Sequence, residues 1–358
     1  MRFIGTQEIE DIAVGAALLG TGGGGDPYIG KLMAQQAIND NGPVELVTTD
    51  EINEEDVFVP TSMMGAPTVL VEKPPSGEES IRTFKELEKR LGTNIAATFP
   101  IEAGGINSML PFVLAARLGL PVVDVDGMGR AFPEIQMTTF YLDGISATPM
   151  AIADEKGNLS LFETINNRWT ERLSRSATVE MGGSTIVASY SMVGKQLKKS
   201  GVKNILHLEE KIGEVIRKTK HNTIDELLEL TKGFQLFSGK IIDIERETRK
   251  GFTRGNVIIE GLLQNRGKDM KIQFQNEYLI AETNSNVLCV TPDLIAVLDS
   301  ETGEPITTEG LKYGARCIVI GIPCDDKWRT DIGIQTCGPT YFGYDIKYQE
   351  VEKLNSNN

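Results

Sequence analysis

The stretch Val123-Asp-Val-Asp-Gly-Met-Gly-Arg-Ala-Phe-Pro-Glu134 begins as a buried strand would and then turns strongly polar. Open α/β sheets bind their ligands in the loops that follow the carboxyl ends of parallel strands. Gly127 and Gly129 would let the backbone turn sharply at this point and approach a ligand closely. The stretch therefore predicts a parallel strand that ends at the rim of a ligand site.

The charged side chains of this stretch have the chemistry that such a rim needs. Asp126 and Glu134 are candidate catalytic acids or bases. Asp124 is a candidate substrate-binding residue, and Arg130 could hold a carboxylate or an amide of a ligand. The alternative is an ordinary turn, in which Asp124 caps backbone amides and Arg130 pairs with Glu134. This stretch alone leaves both interpretations open.

Two different patterns flank the stretch and predict two domains. Residues 1–165 mostly alternate helix and strand periods, which predicts an α/β domain with a mostly parallel sheet. Within them, residues 138–142 read as a strand. Residues 166–358 combine a helical part, rich in Lys and Glu over residues 191–230, with many short strand patterns separated by glycine turns. This second half predicts a strand-rich α+β C-terminal domain.

A glycine run, Gly20-Thr-Gly-Gly-Gly-Gly-Asp-Pro27, follows the first predicted helix. Its backbone N–H groups, at Gly23 and Gly24 above all, could bind an anion or an oxyanion. The run lacks the Gly-Lys-Ser/Thr of a phosphate-binding loop, and it follows a helix rather than the strand of a dinucleotide fingerprint. We therefore reject nucleotide binding, while a plain interhelical loop stays open as an alternative.

Further junctions join strand-like segments to glycine or polar residues. A buried amide or carboxylate must find hydrogen-bond partners, so such groups at strand ends indicate a site rather than packing. The candidate substrate-binding residues at these junctions are Gly65, Glu102, Asn107, Asn276 and Glu277.

Composition narrows the class of partner. The chain has 36 Lys and Arg against 50 Asp and Glu, a net charge of −14. Because such a surface repels phosphate backbones and anionic lipid, we predict no nucleic-acid and no membrane partner. No apolar run approaches the roughly 18 residues of a transmembrane helix, and no hydrophobic signal region stands at the N-terminus. The expected location is cytoplasmic, and a homo-oligomer is compatible with the sequence.

Metal-binding and nucleophilic residues are few. The two histidines, His207 and His221, lie in the charged helical part, so we predict no metal site and no Ser-His-Asp triad. We also predict no cofactor. Four cysteines lie in the last 70 residues. Cys289 and Cys317 read as strand interior, and two others read as turn residues that could face a ligand as a catalytic thiolate. Those two are Cys324 and Cys337.

Five stretches, taken together and in this order, resemble the S-methyl thiohydantoin desulfurase family, whose members often occur beside hydantoinase and oxoprolinase genes. The resemblance runs from about Thr6 to Glu352. The stretches are Thr21-Gly-Gly-Gly-Gly-Asp-Pro27, Met64-Gly-Ala-Pro-Thr-Val69, Asp124-Val-Asp-Gly-Met-Gly-Arg-Ala-Phe-Pro-Glu134, Phe274-Gln-Asn-Glu277 and Gly338-Pro-Thr-Tyr-Phe-Gly-Tyr-Asp345.

The resemblance implies an α/β domain, a strand-rich domain and a site between them. It also implies the hydrolytic removal of sulfur from C2 of a five-membered thiohydantoin ring, which gives a hydantoin, in ergothioneine-type catabolism. The small-molecule substrate of that pathway carries a propionate arm. One departure is that the family pattern commonly has Arg-Ala where this chain has Thr340 and Tyr341.

Two mechanisms and two rival functions remain open from the sequence. Either a carboxylate such as Asp126 or Glu134 activates water, or a cysteine thiolate displaces the sulfur and water resolves the adduct. The enzymatic rival is a metal-dependent cyclic amide hydrolase that uses carboxylate ligands. The non-enzymatic rival is a partner subunit of a hydantoinase or oxoprolinase, which would expose a large apolar patch.

Overall fold

The computed structural model describes residues 2–65, 69, 73–219, 221–249, 252–284 and 286–356. It contains a nine-stranded mixed sheet and a seven-stranded antiparallel sheet. In the larger sheet the strand order is β1-β2-β5-β4-β3-β9-β7-β8, with β10 paired to β3. The four central strands, β2, β5, β4 and β3, run parallel, and the outer strands pair antiparallel. The predicted fold class is confirmed.

The strands have the following bounds. They are β1 (Arg2–Ile4), β2 (Val44–Val47), β3 (Val57–Gly65), β4 (Ile95–Pro100), β5 (Val122–Val123), β6 (Val125–Asp126), β7 (Met150–Ala153), β8 (Leu159–Phe162), β9 (Ser184–Ala188), β10 (Met192–Val193), β11 (Val202–Lys203), β12 (Phe234–Arg249), β13 (Phe252–Gly261), β14 (Asp269–Gln275), β15 (Glu277–Thr283), β16 (Asn286–Val290), β17 (Leu294–Asp299) and β18 (Arg316–Ile322).

The helices have the following bounds, with short 3₁₀ helices at Gly105–Ser108, Leu263–Asn265, Asp326–Arg329 and Pro339–Phe342. They are α1 (Thr6–Leu19), α2 (Pro27–Asn41), α3 (Glu78–Leu91), α4 (Leu110–Leu118), α5 (Thr139–Leu142), α6 (Asn167–Glu180), α7 (Gly194–Ser200), α8 (Ile205–Lys218), α9 (Thr223–Thr231), α10 (Asp331–Cys337) and α11 (Val351–Leu354).

Helices α1 and α8 pack at very close range because glycines stand at their contact. A Cβ atom on Gly15 would lie 1.9 Å from the carbonyl oxygen of Glu209, and one on Gly213 would lie 2.0 Å from that of Asp11. Real side chains do not reach such distances, so any larger residue would push the helices apart. The contact fixes the position of Glu209 inside the protein.

The smaller sheet has the order β16-β15-β14-β13-β12-β18-β17 and is antiparallel throughout. Asn276 separates β14 from β15 with a φ of 59°, which is the left-handed region that asparagine tolerates better than most residues. This residue turns the chain so that Glu277 starts the next strand. The polar residues Gln275, Asn276 and Glu277 therefore form a tight connection inside the sheet.

The larger sheet takes strands from both halves of the sequence, because β9 and β10 lie beyond residue 165. The largest hydrophobic cluster is shared in the same way and includes Phe99 and Val123 together with Ile320 and Trp328. The predicted boundary between residues 165 and 166 stays a prediction. In the described part of the chain, no helix is both long and apolar enough to cross a membrane.

Two secondary-structure predictions were wrong. Residues 138–142 form helix α5 and its N-cap rather than a strand. The Thr138 hydroxyl caps the helix by accepting a hydrogen bond from the backbone N–H of Tyr141. The segment 191–230 is not continuously helical. It begins with β10, and β11 pairs with β6 in a separate two-stranded ladder, so tertiary pairing overrides local propensity there.

Candidate active site

A cleft with about 680 Å³ of empty space, counting its open mouth, lies where several strand ends of the larger sheet meet the smaller sheet. Its walls come from the ends of β3, β4 and β9, from the loop after β6, and from the β14–β15 connection. The predicted site residues that line it are Gly24, Gly65, Glu102, Asn107, Glu134, Asn276 and Glu277.

The glycine run between α1 and α2 lets the two halves of the protein touch beside the cleft. A Cβ atom on Gly22 would lie 2.5 Å from the Tyr278 ring, and one on Gly23 would lie 2.1 Å from a carboxylate oxygen of Glu277. The backbone N–H of Gly23 already donates to the Gly20 carbonyl at 2.8 Å. The prediction that Gly23 offers its amide to a ligand is therefore corrected, since the residue packs against Glu277.

Glu102 lies in the cleft wall directly after β4 and is 4% exposed. One carboxylate oxygen accepts from the Asn107 side-chain amide at 2.6 Å, and the other accepts from the backbone N–H of Phe132 at 3.2 Å. The Asn107 amide oxygen in turn accepts from the backbone N–H of Met63 at 2.7 Å. Burial raises the pKa of Glu102 to about 7, against the lowering effect of these hydrogen bonds.

Glu277 faces the same cleft and is 2% exposed. Its Oε2 atom is buried and has no hydrogen-bond partner among the described residues. Burial raises the pKa of Glu277 well above its usual value, the charge of Glu102 raises it further, and the charge of Arg130 lowers it. Burial therefore favours the protonated form of Glu277.

Asp124 and Asp126 do not line the cleft, which corrects their predicted roles. Asp124 accepts from the backbone N–H of Leu206 at 2.8 Å and caps the start of α8. Asp126 is fully buried, and both its oxygens accept from the backbone N–H of Gly129, at 2.8 and 2.9 Å. Burial raises its pKa, and backbone amides, including that of Ala103, lower it. Asp126 therefore holds the loops of the site in place.

Arg130 is also fully buried behind the cleft wall rather than exposed to a ligand. Its guanidinium donates to the carbonyls of Pro292 and Asp293 at 2.7 and 2.9 Å, and to the hydroxyl of Thr21 at 2.9 Å. Its Nε–H donates to the Ala131 carbonyl at 3.0 Å. With these donors occupied, the predicted grip on a substrate carboxylate is corrected to an internal tie between three segments.

Glu134 is half-buried and lies at the passage from the cleft to a larger outer chamber. Its carboxylate accepts from the Tyr341 hydroxyl at 2.7 Å and from the side-chain amide of Gln136. Arg175 lines both spaces too, and it pairs with Glu171. The pairing of Arg130 with Glu134, part of the ordinary-turn alternative, does not occur among the described residues. We call the larger space the outer chamber below.

Neither candidate cysteine lies in the cleft. Cys337 is completely buried, and its thiol donates to the Gly333 carbonyl at 3.3 Å. Cys324 is 7% exposed, and its backbone N–H donates to Asp293 at 2.9 Å. Burial raises the pKa of both thiols, the opposite of what a thiolate nucleophile needs. The expectation that one of them faces a ligand is corrected on geometric grounds.

The carboxylates considered as metal ligands point to separate partners. Among the described ranges, no group of three or more His, Cys, Asp or Glu side chains is arranged to hold a metal ion. Of the motif at residues 64–69, residues 66–68 lie outside the described residues, and Gly65 ends β3 at the cleft.

Sequence reasoning missed several residues of the cleft. Ser189 and Tyr190 line it immediately after the buried strand β9. The rule that found Glu102, polar residues directly after a buried strand, applies equally to them. Arg175 belongs to a helix whose contact with the cleft leaves no local signal in the sequence.

The fold and the cleft define a class: an α/β protein with a second antiparallel sheet and a cleft rich in buried carboxyl groups. The chain belongs to the S-Me-THD-like family, whose N-terminal domain model matches residues 7–164 and whose C-terminal domain model matches residues 165–351. This confirms the resemblance to the S-methyl thiohydantoin desulfurase family and supports a thiohydantoin-related function in general.

The fold also matches a crystal structure of a protein from Chromobacterium violaceum. The TM-score is 0.84 at 22% sequence identity, and the match covers 98% of this chain and 100% of that one. At this identity the match supports the fold alone. No curated protein matches the chain.

Replacing Asp126 with Asn tests its position in the structure. The side-chain NH₂ of the D126N variant would face backbone N–H donors, so we expect a loss of about 1–3 kcal/mol in the free energy of unfolding. Denaturant unfolding measures it, with the exposed Asp269→Asn as a control that should change little. An Asp126→Asn protein of unchanged stability that has lost its activity would return Asp126 to a catalytic role.

Proposed function

We propose that this protein hydrolyses the C2–sulfur bond of a thiohydantoin or S-methyl thiohydantoin ring and releases a hydantoin. The observation that carries the proposal is the pair of buried carboxyl groups, Glu102 and Glu277, in one cleft. Membership of the S-Me-THD-like family supports a thiohydantoin ring as the substrate. The proposal therefore assigns the chemistry to residues of both sheets.

Glu102 suits the general base. A base works best when its pKa lies near the working pH, and burial raises the pKa of Glu102 to about 7. The Asn107 amide and the Phe132 N–H fix the carboxylate in one orientation. In the proposed step, Glu102 takes a proton from a water molecule as the water oxygen bonds to C2, and a tetrahedral intermediate forms.

Glu277 suits the general acid. Burial raises its pKa well above the usual value and so favours its protonated form, and Glu277, whose Oε2 is unpartnered, lines the cleft. In the proposed step, the C2–S bond breaks and the sulfur leaves with its electron pair, while Glu277 donates a proton to that sulfur. As the C2 carbonyl forms, its hydroxyl proton passes to the departing sulfide of the free thione, or to the ring nitrogen of the S-methyl form. Glu102 then returns its proton to Glu277. The sum is water plus thiohydantoin giving hydantoin plus sulfide, or methanethiol from the S-methyl form.

The outer chamber suits the acidic arm of an ergothioneine-type substrate. Its empty space is about 1290 Å³, and it joins the cleft at Glu134 and Arg175. Arg168 and Arg172 line it one helical turn apart on α6. In the described part of the chain, neither guanidinium has a carboxylate within ion-pair distance, which leaves both free for the propionate.

The partner-subunit alternative has one observation in its favour. Trp169 and Leu173 lie four residues apart on α6 and are 44 and 45% exposed, and Ile165, just before the helix, is 85% exposed. Such a stripe is typical of a contact surface. The purified protein alone separates the two functions, because a non-catalytic subunit would turn over no thiohydantoin without its partner.

The Glu102→Gln variant tests the proposed base, and the Glu277→Gln variant tests the proposed acid. Each should lower kcat by at least about 100-fold, the usual contribution of acid–base assistance. Wild-type kcat should rise with pH through about 7 as Glu102 loses its proton, and Glu102→Gln should lose this limb. The assay follows sulfide and methanethiol release from thiohydantoins and S-methyl thiohydantoins with a C5 propionate.

Cys324→Ala and Cys337→Ala are the matched controls, since they remove buried thiols outside the cleft. Both should keep wild-type kcat per folded molecule. A kcat that collapses in a correctly folded cysteine variant and survives in Glu102→Gln would favour the covalent route instead.

The Arg168→Gln and Arg172→Gln variants test whether the two arginines bind the propionate arm of the substrate. We expect KM for the propionate-bearing ring to rise roughly 10-fold for each, the scale of one charged contact, with little change for a ring without the arm. Arg266→Gln makes the same charge change at an exposed position away from the chamber and serves as the control. Equal effects on both rings would remove the arginines from substrate recognition.

A further inference from the structure

A third buried carboxyl group, Glu209, lies behind the cleft and is not used in the proposed reaction. It projects from α8 and is fully buried. Its Oε1 atom accepts from the Ser108 hydroxyl at 2.7 Å, and its Oε2 atom has no partner among the described residues. No Lys or Arg forms an ion pair with it in the described chain. Burying a carboxyl group without a full set of hydrogen bonds costs free energy, which indicates that Glu209 has a structural or functional role.

Hydrogen bonds connect Glu209 to the turn that carries the proposed base. The Ser108 hydroxyl, which donates to Glu209, accepts from the backbone N–H of Gly104 at 3.1 Å. Ser108 ends the 3₁₀ helix that begins at Gly105, and the residue before Ser108 is Asn107. Asn107 holds the Glu102 carboxylate. Glu209 therefore anchors the 3₁₀ helix Gly105–Ser108 through Ser108, and Asn107 of the same helix orients Glu102.

The backbone of α8 packs directly against α1 at this position. The carbonyl of Glu209 packs against Gly15 of α1 so closely that no Cβ atom would fit between them. The packing of α8 on α1 therefore positions Glu209, and Glu209 in turn positions Ser108 through its hydrogen bond.

Burial and the charges around Glu209 favour its neutral form. Asp124 and Asp126 face it from the β5–β6 segment, and burial and these two charges raise its pKa well above the usual value. On the α1 side Asp11 is paired with Arg217, and the neighbouring Glu210 is paired with Arg2. Nearby cations are therefore already engaged.

We propose that Glu209 is a positioning residue for Glu102: it holds Ser108 and with it the 3₁₀ helix that presents Asn107 to the base. This inference rests on the proposed role of Glu102. When the anchor is lost, Asn107 no longer stabilises the Glu102 carboxylate fully, so the proton of Glu102 is held more tightly. The acidic limb of the kcat profile then moves to higher pH, which a simple loss of folded protein would not produce.

The experiment compares Glu209→Gln, Glu209→Leu and Ser108→Ala with wild type, using the S-methyl thiohydantoin propionate as the probe. Glu209→Leu and Ser108→Ala should each lower kcat roughly 10-fold, the scale of one lost positioning hydrogen bond, with KM nearly unchanged. Both should move the acidic limb to higher pH. Glu209→Gln keeps the acceptor oxygen and should restore most of kcat and the limb. Glu210→Gln on the same helix is the control and should behave as wild type.

Unfolding measured against pH adds a second readout. Because the pKa of Glu209 is raised in the folded protein, the folded state binds more protons than the unfolded chain, and stability falls as pH rises above about 4.5. Glu209→Gln removes this pH dependence, so the melting temperature of the variant should rise relative to that of wild type as pH increases above about 4.5. A constant difference would contradict a neutral Glu209.

The outcomes separate this inference from the proposed function. If Glu102→Gln keeps the acidic limb, the proposed base is wrong. If Glu102→Gln loses the limb while Glu209→Leu and Ser108→Ala leave its position unchanged, only the positioning role is wrong. Glu209→Gln as damaging as Glu209→Leu also overturns it. Ser108→Ala keeps the test valid if Glu209→Leu fails to fold.

Discussion

Arg130 joins the loop after β6 to the glycine run and to the turn between β16 and β17, and the cleft exists because these three segments meet. A buried guanidinium is tolerated because backbone carbonyls and a hydroxyl occupy its donors. The same cation lowers the pKa of Glu277, which burial and Glu102 raise. One residue therefore holds the wall of the site and moderates its electrostatics, without facing a ligand.

The glycine run serves the same junction from the other side. The carbonyls of Thr21 and Gly22 accept from the backbone N–H groups of Tyr278 and Thr308, at 2.7 and 2.9 Å. These contacts cross from the first helix–helix loop to the smaller sheet and require a loop without side chains. The run thus acts through close packing, which brings Glu277 beside Glu102, and this explains its glycines without any bound anion.

The sequence could predict the fold class and part of the cleft. Consecutive polar residues inside a strand-like segment indicated Glu277. Polar residues after a buried strand indicated Glu102 and Asn107, because parallel strand ends share one edge of a sheet. The same rule misplaced Asp126, since a short strand does not reveal whether its carboxylate faces a cleft or backbone amides. Cys337 was misplaced because its neighbouring turn lies inside the core. The chamber walls from α6 depend on tertiary packing alone.

The most direct measurement follows the carboxyl groups themselves. In a ¹³C NMR titration of protein labelled at the glutamate carboxyl carbon, wild type should show one glutamate that titrates near pH 7, and Glu102→Gln should lack that resonance. Glu277 should stay protonated through the same range. The account would be contradicted if every glutamate of the folded protein titrated near its ordinary value of about 4.3, since the cleft would then hold neither a base matched to neutral pH nor a protonated acid.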